Sequence, residues 1–150
     1  MEKVNLKIDL NIITHDQVGE HPFVNISVNG FPQFGEILDK SKRVEIDIEV
    51  EENTSNFLTI EYLNKDPKKD VVLGDDGEPI LDKRVEITAI IIDDIYLDFW
   101  AFDNEDTLSY QSIEDESKSA TGFEATKLSW NGRTTFKFAT PVYLWILENI

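Results

Sequence analysis

Between Val4 and Ile12 the chain reads VNLKIDLNI, apolar at every second position, and this alternation most restricts the fold. Successive side chains of a strand point to opposite faces, so a period of two makes one buried stripe; a helix would scatter the same residues around its axis. Val24, Ile26 and Val28 repeat the pattern, and Asn29-Gly30 closes it with a dipeptide suited to tight hairpins. Val44, Ile46, Ile48 and Val50 alternate with Glu45, Asp47, Glu49 and Glu51, and Leu58, Ile60 and Tyr62 mark a fourth strand. From Val85 to Phe102 both parities are apolar up to a break at Asp93-Asp94, which predicts two strands, the first central to a sheet.

The rest is less regular. Residues 104–122 read as a long loop or a weak edge hairpin. Residues 123–129 and 134–138 resemble strands flanking the turn Trp130-Asn131-Gly132. In the tail, TPVYLWILENI, Thr140 suits a helix cap and Pro141 its first turn, with a final strand as the alternative. About eight short strands without intervening helices predict an all-β, antiparallel β-sandwich of the jelly-roll kind, with one short C-terminal helix. A single domain over residues 1–150 is expected, with 141–150 as a docking tail.

Charge narrows the function. Thirty acidic residues against 14 basic ones give a net charge of −16, which repels phosphate backbones and anionic lipids, so neither nucleic acid nor membrane is an expected partner. Nine Phe, four Tyr and three Trp supply a core despite that charge. Without cysteine, thiol catalysis and zinc–thiolate sites are excluded. The alternating first residues lack the apolar run of a signal peptide, and no run reaches a membrane span, so synthesis in a cytoplasm is expected. No GxSxG elbow, GxGxxG or P-loop is present, and an enzyme is not expected. His15 and His21, beside Asp16 and Glu20, lack the spacing of a metal site and read as ordinary loop histidines.

One segment invites a ligand. Asn64, Asp66, Asp70, Asp75, Asp76, Glu78 and Asp82 offer the hard oxygens calcium prefers, although the order of an EF-hand is missing. Lys65, Lys68, Lys69 and Lys83 lie among them and favour a solvated connection. The row Glu45, Asp47, Glu49 and Glu51 also allows an acidic ridge mimicking DNA, though such rows are more often the wet face of a strand.

The succession of ISVNG, a charged strand, FLTIEYLNKD and LDKRVEITAIIIDDIYL resembles the calcium-dependent xylan-binding type of carbohydrate-binding module. Val28-Asn29-Gly30 matches that family's central turn, Asn64 the Asn of its Asn-Asp pair, and Asp82-Lys83-Arg84-Val85 its acidic step. Lys65 stands where the pair's acid belongs, with Asp66 following. The resemblance implies a calcium ion on Asn64, Asp66 and Asp82 bridging to sugar hydroxyls, with Trp130 or Trp100 as the aromatic platform; for Trp100 a core role is favoured. WNGRTTFKF followed by TPVYLWILENI is similar to the closing portion of small virion proteins of tailed bacteriophages. That second resemblance implies a non-catalytic virion component, made in the host cytoplasm and docking onto other virion proteins in a homo- or hetero-oligomeric assembly. Val142, Tyr143, Leu144, Trp145 and Ile146 would be its contact surface. The leading expectation is this structural role; the alternative is a calcium-dependent module for a host glycan.

Overall fold

The alternating segments all fold as strands. The computed structural model describes residues 2–15, 20–66, 68, 70–99 and 106–149. In chain order the strands are β1 (Lys3–His15), β2 (Phe23–Val28), β3 (Phe31–Ile37), β4 (Lys42–Glu51), β5 (Ser55–Tyr62), β6 (Val71–Leu73) and β7 (Pro79–Asp82). Then follow β8 (Arg84–Ile92), β9 (Ile95–Tyr96), β10 (Leu108–Ser112), β11 (Ser119–Thr121), β12 (Lys127–Leu128) and β13 (Gly132–Ala139), with helix α1 (Val142–Asn149) last.

Two antiparallel sheets carry the core. One runs β12-β8-β1-β4, with β9 folded back on β8; the other runs β11-β10-β13-β5-β2-β3. Leu6, Ile8, Leu10 and Ile12 of β1 are buried, as are Val24, Ile26 and Val28 of β2 and Leu58, Ile60 and Tyr62 of β5, and all join one apolar cluster. Burying each such side chain contributes about 1.5–3 kcal/mol. The expected antiparallel β-sandwich with a short C-terminal helix is therefore what forms.

Local departures have local causes. Residues 31–37 were not expected as a strand because Pro32 and Gly35 interrupt any alternation; β3 tolerates both since it pairs only with β2. Residues 123–129 form a 3-10 helix, Gly122–Thr126, leading into the two-residue β12, rather than one strand. Asp93 and Asp94 take left-handed conformations, with φ of 49° and 65°, and turn β8 into β9. The second strand expected up to Phe102 is thus short, and Trp100 lies outside the described residues. Thr140 does not cap α1. Its hydroxyl donates to the Glu51 carbonyl (2.8 Å) and its N–H to the Thr54 carbonyl (3.0 Å), tying the end of β13 to the β4–β5 turn. His15 ends a strand rather than lying in a loop, and its Nε2 is 2.9 Å from Glu86 Oε2. Among the described residues no helix is long and apolar enough to cross a membrane.

Candidate functional site

The acid-rich segment leaves the sandwich after Tyr62, makes the β6–β7 hairpin and returns at Arg84. At its base two lysines fold inward. Lys83 is fully buried; its ammonium lies 3.0 Å from Asp70 Oδ2 and donates to the Glu20 carbonyl (2.5 Å). The Lys65 ammonium is paired with Asp82 Oδ1 and donates to the Lys83 carbonyl (2.8 Å). Burial holds the Lys65 pKa below the usual lysine value, against the opposing pull of Asp82 and Asp70. The Tyr62 hydroxyl also donates to the Lys83 carbonyl, and burial, with Asp70 and Asp82 nearby, raises its pKa well above the ordinary phenol value.

The residues expected to hold calcium are occupied within this network. Asn64 Oδ1 accepts the Phe23 N–H (2.7 Å), and Asn64 Nδ2 donates to the His21 carbonyl (2.8 Å). Asp66 Oδ1 accepts the Lys68 N–H (3.0 Å), and Asp82 carries Lys65. Calcium requires six to eight oxygens turned toward one point. Here the Lys65 and Lys83 ammonium groups already pair with Asp82 and Asp70, and a divalent ion would be repelled by both. Among the described residues no three Asp, Glu or His side chains come together as a metal cluster. As placed, the Asp82 carboxylate and the Asn64 oxygen are taken by protein donors, so these residues would hold an ion only by giving up those contacts.

Across a shared wall lies a different arrangement. Asn131, buried in the turn between β12 and β13, accepts the Lys65 N–H (2.6 Å) and donates to the Lys65 carbonyl (2.8 Å) and to Glu114 Oε1 (2.6 Å). This clamp presents the preceding residue, Trp130, at the rim with 36% of its surface exposed. The Tyr110 hydroxyl donates to the Trp130 carbonyl (3.0 Å), and burial, then Glu114, raise the Tyr110 pKa. Gly132 is required just beyond: a Cβ there would sit 2.5 Å from the Tyr110 oxygen and 2.7 Å from the Gln111 carbonyl oxygen.

Trp130 and Tyr110 line a cleft of about 520 Å³ with Arg84, Lys118, Glu124 and Lys127, and with Ser117, Ser119 and Ser129. Lys118 Nζ stands 3.5 Å from the centre of the indole ring, and Lys127 Nζ 4.9 Å from that of Phe123. Trp130, named from the sequence, lines this cleft, whereas its neighbours there were not foreseen. They come from the polar stretch around residue 118, the start of β8 and β12, and nothing in their spacing joins them.

The tail divides. Val142 is buried, and Trp145 packs edge-on against Phe136 and Phe138, with ring centres 5.8 and 6.4 Å away; Ile146 packs partly on the core. Tyr143, Leu144 and Leu147 remain exposed. Of the five expected contact residues, Tyr143 and Leu144 face outward, whereas Val142 and Trp145 hold the helix down.

No family model matches the chain, and no curated protein matches it. Among solved structures it is similar to vCBM60 in complex with galactobiose, at 13% identity over 87% of this chain and 96% of that one, with a TM-score of 0.48. It is also similar to the selenomethionine form of vCBM60, described with a circular permutation linking two families of calcium-dependent carbohydrate-binding modules. There the identity is 11%, the coverage 87% and 89%, and the TM-score 0.49. Likeness at this distance carries no argument about a ligand, which must come from the side chains of this chain.

Proposed function

We propose that the chain is a non-catalytic recognition module that takes a saccharide in the Trp130 cleft without a metal ion. The observation that carries this reading is the combination, in one rim cavity, of a partly exposed indole with serine and charged side chains. An indole offers a flat apolar surface for the C–H face of a sugar ring, while serine hydroxyls and long cationic side chains can bond to its edge. Lys118 lies over that ring now. An exposed cation–π contact is worth only about 0.5–1 kcal/mol, so a ligand can displace it. A glycan array followed by calorimetric titration tests the reading. Retention of at least one glycan in the presence of chelator is expected, with affinity falling at least tenfold in Trp130→Ala. Binding that survives Trp130→Ala unchanged would move the site elsewhere.

A second reading is favoured by the helix. Tyr143, Leu144 and Leu147 make an exposed apolar face on α1, consistent with a virion component docking onto neighbouring particle proteins. Because Val142 and Trp145 close the core, truncating the tail would confound docking with folding. Tyr143→Glu combined with Leu147→Glu is cleaner: failure to enter particles at an unchanged melting temperature supports docking, and normal incorporation rejects it.

A further inference from the structure

Resting on the saccharide reading of the cleft, we propose that its ligand is anionic: a hexuronate-bearing glycan whose carboxylate is taken by Arg84, Lys118 and Lys127. The whole chain carries 30 acidic and 14 basic residues, yet this cleft is lined by three cations and a single carboxylate, Glu124. These cations share one cavity without an ion pair among the described residues, whereas Lys7, Lys40, Lys68 and Lys137, which also lack one, are not among its lining residues. Lys3, Lys42, Arg43, Lys65, Lys83 and Arg133 each have a carboxylate within 4 Å, whereas among the described residues none reaches Arg84, Lys118 or Lys127 at that distance.

Arg84 adds an independent sign. Its Nε is buried and has no hydrogen-bond partner among the described residues. A buried guanidinium N–H left unmatched is costly, and Arg presents a fork shaped for a carboxylate. Two anions outside the lining bear on these charges: Glu86, the Cα partner of Lys127, is 2.9 Å from His15, and Asp115, which accepts from the Ser117 N–H and hydroxyl, also attracts Lys118 without an ion pair within 4 Å. An anion is therefore held against the overall field of the protein, which repels it everywhere else. Neutral sugars would leave the cations unmatched, so acidity of the ligand sets specificity.

The test compares tetragalacturonate with its carboxyl-reduced, uncharged counterpart by titration against the full chain in chelator, alongside the glycan array. At least tenfold tighter binding of the acidic tetrasaccharide is expected, since a charge-assisted contact is worth about that factor. Lys118→Gln with Lys127→Gln should erase the preference while leaving the melting temperature unchanged; Arg84→Gln should do the same, with circular dichroism checking its fold. Equal affinity for the two tetrasaccharides, or a preference that survives the double substitution, overturns the anionic assignment and leaves the saccharide reading standing. Failure of every glycan on the array overturns both.

Discussion

Two groups of cations meet at the Trp130–Asn131 turn, and they are held in opposite ways. Lys65 and Lys83 are buried and each is matched to an aspartate, with backbone carbonyls taking further ammonium protons. Arg84, Lys118 and Lys127 are half-buried or exposed and have no such partner among the described residues. In the first region positive charge is structural, paired at the base of an acidic hairpin. In the second it lines a cavity and forms no ion pair within 4 Å among the described residues. The difference separates a charge that completes the fold from one available to a ligand.

The sharpest way to break this comparison is to remove a structural cation. Lys83→Met leaves the Asp70 carboxylate in a dry site, and breaking one half of a buried pair costs about 3–5 kcal/mol. Urea denaturation should show a midpoint lowered accordingly, while Lys83→Met with Asp70→Leu recovers much of the loss. Lys127→Met should leave the midpoint within about 0.5 kcal/mol of the parent, because surface changes rarely cost more. Equal effects of Lys83→Met and Lys127→Met would erase the distinction.

A smaller effect is expected at Tyr62, whose hydroxyl supports the Lys83 carbonyl that Lys65 also uses. Tyr62→Phe should cost about 1 kcal/mol near neutral pH, the usual worth of a buried hydrogen bond. The sign of its pH dependence follows from burial. The folded-state pKa is raised above the unfolded value, so the Tyr62 contribution is intact below about pH 10 and is lost as pH rises past it, where the unfolded chain ionises first. Lys65 acts oppositely: its lowered pKa makes stability grow with pH below the ordinary lysine range. Denaturation at pH 8, 10 and 11 should therefore show the gap between parent and Tyr62→Phe closing as pH rises. A gap that widens would mean the phenol is not held protonated by the fold.

The two sheets were legible because one physical rule, alternate burial, wrote itself into β1, β2, β4 and β5 residue by residue. Edge elements were not. Pro32 and Gly35 conceal β3, and β12 is too short to show a period. The cleft was legible only as Trp130, since its cations come from three separate stretches that tertiary pairing alone unites. The lysine pair was misleading for another reason. Lysine among aspartates ordinarily means a wet loop, and the burial of Lys65 and Lys83 depends on carbonyls of Glu20 and Lys83 that no pattern marks.

The smallest expected effect is that of calcium, and it tests the comparison from the other side. If Asn64, Asp66 and Asp82 made an ion site with a dissociation constant near 10 µM, one millimolar calcium would stabilise the native state by about 2.7 kcal/mol. With the Asp82 carboxylate on Lys65 and the Asn64 oxygen on the Phe23 N–H, a shift in melting temperature within about 1 °C is expected instead, and none on adding chelator. Lys65→Met should make the response larger, because removing the ammonium frees Asp82 to bind an ion. A calcium-dependent rise in the parent protein, abolished by Asp82→Ala, would show that the lysine yields its place to the metal, and the line drawn between structural and available charge would then fall elsewhere.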